Sequence, residues 1–432
     1  MAIQSEAPRQ GPVGDQSSVV DQQSARPTKT ISRRNLLIGA GVGGAGLLTA
    51  AGLAAVNRFG NNSDLGNQTP QGGGESSANP KAPSVLGVET VLEATPTPEV
   101  KKEPTTLREW ADKAGIEIGV SIAYRTTPEM LPLYSKEFNG ASVVDFNWDK
   151  IEPRRGNVTY DNRGLFAYPE PNVDFGVSNK MKVNGQALVF TSEYPTWLKE
   201  SNFSRAEATD VLRKHVNEVV SHFKGRVSRW VVVNEFNPLS WGRDDILQRI
   251  IGQDVPEIAF EAAREADPSA TLIYNNNGNH EPNLPSTATT MKIVERLKAK
   301  GLIDGVGLQM HLDGSKPPSR DGMIKTMQGY GLPIYITEMD VNMKDVPGTQ
   351  EERFAKQAEI YRNVFQAGLD SGVCRSFSFF TVGDQYSWIE RSKTYQHAST
   401  NGDPTIFDDN LKPKPAYGAV FDVLKAEALK KA

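Results

Sequence analysis

The sequence predicts a parallel α/β barrel of the (β/α)8 TIM type over residues 105–432, and three observations point there. Apolar, β-branched runs alternate with amphipathic helical stretches along this part of the chain. Eight such runs can be counted over some 325 residues, which suits a barrel with insertions. Two of the runs, Val231-Val232-Val233-Asn234-Glu235 and Ile334-Tyr335-Ile336-Thr337-Glu338-Met339-Asp340, end in a glutamate. A strand buried on both faces reads as a continuous apolar run, and its carboxyl end is where α/β barrels place chemistry.

The elements follow in order. Ile116 to Ile122, Ala141 to Phe146 and Lys182 to Phe190 are the first three strands. Ser204 to Lys224 is a helix, with Val211, Leu212, His215, Val219 and Phe223 at helical spacing. Arg229 to Asn234 is strand four. A helix over Pro256 to Ala266 stops at Asp267-Pro268, and Thr271 to Asn275 is strand five. A helix from Met291 to Lys300 closes at Gly301. Gly305 to His311 and Pro333 to Thr337 are strands six and seven. The helix Glu351 to Gly368 leads to strand eight, Ser376 to Val382. A doubly wound open sheet is the alternative, but no Gly-rich phosphate loop follows the first strand.

The first hundred residues read differently. Ser32-Arg33-Arg34 precedes 21 uncharged residues, Leu36 to Val56, six of them glycine, and no acidic residue lies between Asp21 and Asp64. A twin arginine before a weakly apolar segment resembles a bacterial twin-arginine export signal, so residues 1–56 are expected to direct export to the cell envelope or beyond. A membrane anchor is the other reading, since 21 residues suffice to span. Residues 57–104, rich in Gly, Asn, Ser, Pro and Thr, form an expected flexible linker.

Composition narrows the partners. The formal net charge of −4, from 48 basic and 52 acidic residues, argues against a nucleic-acid partner. Cys374, the single cysteine, excludes an intrachain disulfide and a cysteine-based zinc site, and its apolar surroundings make it a small core residue. Of the five histidines, His215, His222, His280 and His397 read as surface or helix residues, whereas His311 ends a strand. No cofactor or metal is called for.

Motifs spread along the domain carry a family resemblance. They are Trp148-Asp149-Lys150-Ile151-Glu152-Pro153, Pro195-Thr196-Trp197-Leu198, Val232-Val233-Asn234-Glu235, Gly307-Leu308-Gln309-Met310-His311-Leu312, Ile336-Thr337-Glu338-Met339-Asp340-Val341, Tyr386-Ser387-Trp388, and Phe407-Asp408-Asp409-Asn410-Leu411-Lys412-Pro413-Lys414-Pro415-Ala416-Tyr417. In these the chain resembles glycoside hydrolase family 10, the retaining endo-β-1,4-xylanases. The resemblance implies Glu235 as general acid/base and Glu338 as nucleophile, a pair that sits about 5–5.5 Å apart in retaining enzymes. It also implies that His311 hydrogen-bonds the nucleophile and is held by Asp340, and that Asn234 donates to the sugar 2-hydroxyl. Gln309 is expected to set the acid/base environment. Asn147, Gln186, Trp197, Phe380 and Trp388 are the other candidate sugar-binding residues, and the expected partner is a polysaccharide or oligosaccharide.

The sugar-reading residues depart from the family pattern. Where it has Glu-Asn-x-x-Lys-Trp, this chain has Val143-Val144-Asp145-Phe146-Asn147-Trp148. Where it has Arg-Gly-His-x-Leu-Val-Trp-His, this chain has Asn184-Gly185-Gln186-Ala187-Leu188-Val189-Phe190-Thr191. A family Trp becomes Phe380, and an Asn-Asp pair becomes Asn275-Asn276. Replacing such donors redirects specificity. Another β-linked glycan, transglycosylation, or a non-catalytic polysaccharide-binding barrel therefore stand as alternatives.

Overall fold

The computed structural model describes residues 103–123, 126–162, 167–236, 245–391 and 401–431. The expected export signal and nearly all of the expected linker lie outside them, as does His397. Among the described residues no helix is long and apolar enough to cross a membrane.

The strands are β1 (Glu117–Ile122), β2 (Gly140–Val143), β3 (Lys182–Phe190), β4 (Arg229–Asn234), β5 (Thr271–Asn276), β6 (Gly305–Leu308), β7 (His311–Asp313), β8 (Ile334–Asn342) and β9 (Cys374–Phe379). All their pairings are parallel, in the order β6-β5-β4-β3-β2-β1-β9-β8-β7. A further β6–β8 pairing closes the ring. Eight strand positions thus form the (β/α)8 barrel, with β7 continuing the sixth.

Outer helices cover the barrel. Arg205–Phe223 and Gln350–Ser371 each start in a capping box, Ser204 with Glu207 and Thr349 with Glu352, in which side chain and backbone satisfy each other's orphan donors. Their buried faces join the strands' outer side chains in one large core. Cys374 is buried there, and burial pushes its thiol up to about 12.

The barrel interior is layered. At the amino-terminal mouth Arg229 donates to both oxygens of Glu117, at 2.6 and 3.2 Å, and lies 4.2 Å from the Tyr335 ring centre. Asn184 also donates to Glu117, at 2.9 Å. Above this lies a small apolar layer of Ala187, Val231 and Ile273, flanked by Phe190 and Tyr335. The carboxyl ends of the strands form the top.

Several strand bounds differ from expectation. β2 stops at Val143 rather than Phe146; beyond it Asp145 accepts from Lys150 at 2.8 Å and from Asn172, on the helix Pro169–Ser178, at 3.4 Å, and Phe146 packs against Phe223 and Trp230. The sixth strand breaks at Gln309-Met310, where Met310 adopts φ 63, and resumes as β7. β8 runs five residues past Thr337 because β7 supplies a partner for its extension. β9 begins at Cys374 and ends at Phe379 rather than spanning Ser376 to Val382. The helix expected at Met291 starts earlier, at Pro285, where proline suits a first helical turn.

Candidate active site

Glu338 lies on β8 and is 5 % exposed. Its Oε1 accepts from Asn275 Nδ2 at 2.7 Å and from Gln186 Nε2, and its Oε2 meets His311 Nε2 at 3.2 Å. The second carboxylate of the same strand, Asp340, stands two residues on and so projects to the same side. The β7–β8 register sets Asp340 opposite His311, and Asp340 Oδ1 lies 2.9 Å from His311 Nδ1. The expected order of nucleophile, imidazole and carboxylate is therefore present as geometry. Trp388 Nε1 completes it by donating to Asp340 Oδ2 at 2.8 Å.

Burial works against a charged His311 ring, but the Asp340 and Glu338 carboxylates outweigh it and raise the group from 6.5 to about 10. An imidazolium has two N–H donors, and both facing carboxylates only accept, so the charged ring satisfies both. Linkage gives the sign. A histidine whose folded value is raised adds stability in full below about 6.5, and that stability is lost as pH rises through about 10. In ¹⁵N-resolved spectra His311 should carry protons on both ring nitrogens at pH 8. A neutral ring at that pH would contradict this charge arrangement.

Glu235 follows β4 directly, in the left-handed region at φ 55. Such a backbone is unfavourable for a side chain longer than glycine, and here the Glu235 N–H is held by Asn275 O at 3.0 Å. Its Oε1 accepts from Gln309 Nε2 at 2.9 Å. Gln309 Nε2 also reaches Asn234 Oδ1 at 3.2 Å, and Asn275 Nδ2 reaches the same oxygen at 3.0 Å. A chain of amides thus links the two glutamates, from Glu235 through Gln309, Asn234 and Asn275 to Glu338. Asn234 Oδ1 thus takes two amide donors.

Asn275 is the residue that sequence reasoning missed. It is fully buried, and its Oδ1 accepts from Thr337 Oγ1 at 2.8 Å while its Nδ2 serves both Asn234 and Glu338. Gly307 on the neighbouring strand makes room for it, since a Cβ there would sit 2.2 Å from Asn275 Oδ1. The signal available in sequence was a polar Asn275-Asn276-Asn277 end to strand five beside a glycine-bearing strand six.

The remaining candidates divide. Phe380 and Trp388 are half-buried, and their rings meet His311 edge-on at 5.1 and 5.2 Å between centres. Asn147 heads the short helix Trp148–Ile151 and is half-buried. Trp197 is half-buried, donates to Glu152 O at 2.9 Å and packs against Trp148 at 6.1 Å between ring centres. His215 is on a helix as expected, but it is buried, stacks on Trp148 at 3.7 Å, and is pushed down to about 3 by that burial. His280 is half-buried in a loop rather than on a helix, and its burial also lowers it, to about 4.

The carboxyl-terminal signature acts at a distance from the carboxylates. Lys414 Nζ donates to Asp384 Oδ2 at 2.9 Å and to Asp403 O at 2.6 Å, bracing the turn that leads into Trp388. Burial raises Asp384 to about 6 against the pull of Lys414. Among the described residues no group of three or more His, Cys, Asp or Glu could hold a metal ion.

Comparison with known proteins agrees with this geometry. The family model for glycosyl hydrolase family 10 matches residues 106–423. Endo-1,4-beta-xylanase B of Thermotoga neapolitana is 36 % identical over 330 residues, covering 74 % of this chain and 91 % of that protein. The crystal structure of native xylanase 10B from Thermotoga maritima superposes with a TM-score of 0.68 at 33 % identity, covering 76 % of this chain and all of that one. Xylanase 10B from Thermotoga petrophila RKU-1, solved with xylobiose, superposes at 0.67 with 33 % identity, over 76 % of this chain and 99 % of its own. With two strand-end glutamates joined by buried amides and a family match across the whole barrel, the chain belongs to glycosyl hydrolase family 10.

Proposed function

We propose that this protein is a retaining endo-β-1,4-glycanase of xylanase type, hydrolysing a β-1,4-linked polysaccharide by double displacement. The observation that carries the proposal is the joined pair: Glu235 after β4 and Glu338 on β8, linked by amides, with His311 Nε2 3.2 Å from Glu338 Oε2. Glu338, among three donors, is suited to act ionised, attacking the anomeric carbon to form an ester. Glu235 then gives its proton to the departing glycosidic oxygen. In the second step water attacks the anomeric carbon, Glu235 takes its proton, and Glu338 leaves as carboxylate.

Oligosaccharides freshly released from β-1,4-xylan should carry the β configuration at their new reducing ends in early ¹H spectra. Early α-anomers would sink the double-displacement reading. Glu235→Ala should reduce the turnover of xylan by about 10²–10⁴-fold. It should slow the first step little for aryl glycosides whose leaving group needs no proton. An equal loss across leaving groups would remove the acid role from Glu235.

A further inference from the structure

We infer that Gln186 is a positioning residue for the nucleophile, holding the Glu338 carboxylate for attack rather than reading a sugar hydroxyl. The inference rests on the proposed role of Glu338. Gln186 lies on β3 and is 7 % exposed. β3 and β8 are not neighbours in the barrel, yet the Gln186 side chain crosses the interior and places Nε2 on Glu338 Oε1. An ionised carboxylate only accepts, so the amide must present its nitrogen there.

The contact completes a three-sided mount. Asn275 on β5 reaches Oε1 at 2.7 Å, and His311 on β7 faces Oε2 at 3.2 Å. Gln186 adds a donor on Oε1 from β3, across the barrel. Asn275 and His311 approach from strands beside β6 and β8, so Gln186 is the mount's one anchor on the far wall. Ala187 follows it on β3, and Val231 and Ile273 stand level with it on the next two strands, an apolar cluster in which a hydrogen bond is stronger than in water. A side-chain amide used in this way is not the donor a sugar would meet first.

The test is a double-mutant cycle on an aryl β-xylobioside. Gln186→Met keeps the side-chain length and removes the donor. It should lower kcat about 10²-fold, the typical effect of a misplaced reacting group, with KM nearly unchanged. In a Glu338→Gly background with azide as external nucleophile, adding Gln186→Met should change the rate of α-glycosyl azide formation little, because the group it positions is gone. If Gln186→Met mainly raises KM, or its loss persists in full with azide, Gln186 touches the sugar and the inference is overturned. Gln186→Glu guards against a folding artefact. It should be poorly active at neutral pH and recover relative to the unsubstituted protein as pH falls, when the introduced carboxyl can donate its O–H. No recovery would count against a donor role. Absence of any glycosyl azide from Glu338→Gly would overturn the nucleophile assignment and this inference with it. The persistent-loss result overturns this inference alone.

Discussion

Glu338→Ala is expected to cut the hydrolysis of β-1,4-xylan and of aryl β-xylobiosides alike by on the order of 10⁴-fold or more, as removal of a covalent nucleophile does. The size follows from what surrounds the residue. Asn275, Gln186 and His311 converge on one carboxylate, and none of them can replace it as an attacking group. With the carboxylate gone, the imidazolium faces a void on one side and Asp340 on the other. The donors that served a charge then serve nothing, so nearby water cannot recover the lost step. Folding should survive, because the substitution removes only side-chain hydrogen bonds at the open end of the barrel. The check is steady-state kinetics beside a thermal melt. A folded Glu338→Ala protein with more than about a hundredth of the original kcat would remove Glu338 from the covalent role.

Arg229→Met is expected to destabilise the fold by about 3–5 kcal/mol, the usual cost of leaving one partner of a buried ion pair alone. Arg229 is 8 % exposed and Glu117 5 % exposed at the closed end of the barrel. The pair is bidentate, which suits the planar guanidinium, so Arg229→Lys should also lose most of the interaction. Uncompensated Glu117 is the source of the cost. Glu117→Met combined with Arg229→Met should therefore recover a large part of it. Urea titration of the two single variants and the double would show this as a non-additive cycle. A loss below about 1 kcal/mol in Arg229→Met, a value typical of exposed pairs, would mean that water reaches the pair.

These effects sit at opposite ends of one barrel, and the two ends were unequally legible in the sequence. Glu235 and Glu338 stood out because each ends or continues a run of β-formers, whereas His311 and Asp340 entered through the resemblance to the family. Contacts between strands that are far apart in sequence leave no such mark. Asn275 reaches Glu338 across the β6 position, and Gln186 reaches it across the barrel. Both depend on ring closure, which no window of residues contains. The split of the sixth strand was hidden for a related reason. Met310 is an ordinary apolar residue by type, and only its left-handed backbone breaks the run.

The long β8 strand carries Glu338 and Asp340 on one stiff backbone, and its neighbour β7 carries His311 in register with them. Glu338, His311 and Asp340 therefore share one side of the barrel, on two strands held in register. Glu235 stands on another wall, where Asn275 O holds its N–H and Gln309 donates to its carboxylate. Asn275 serves both settings, since its side chain also donates to Glu338, so one buried amide residue couples the two carboxylates through backbone and side chain together.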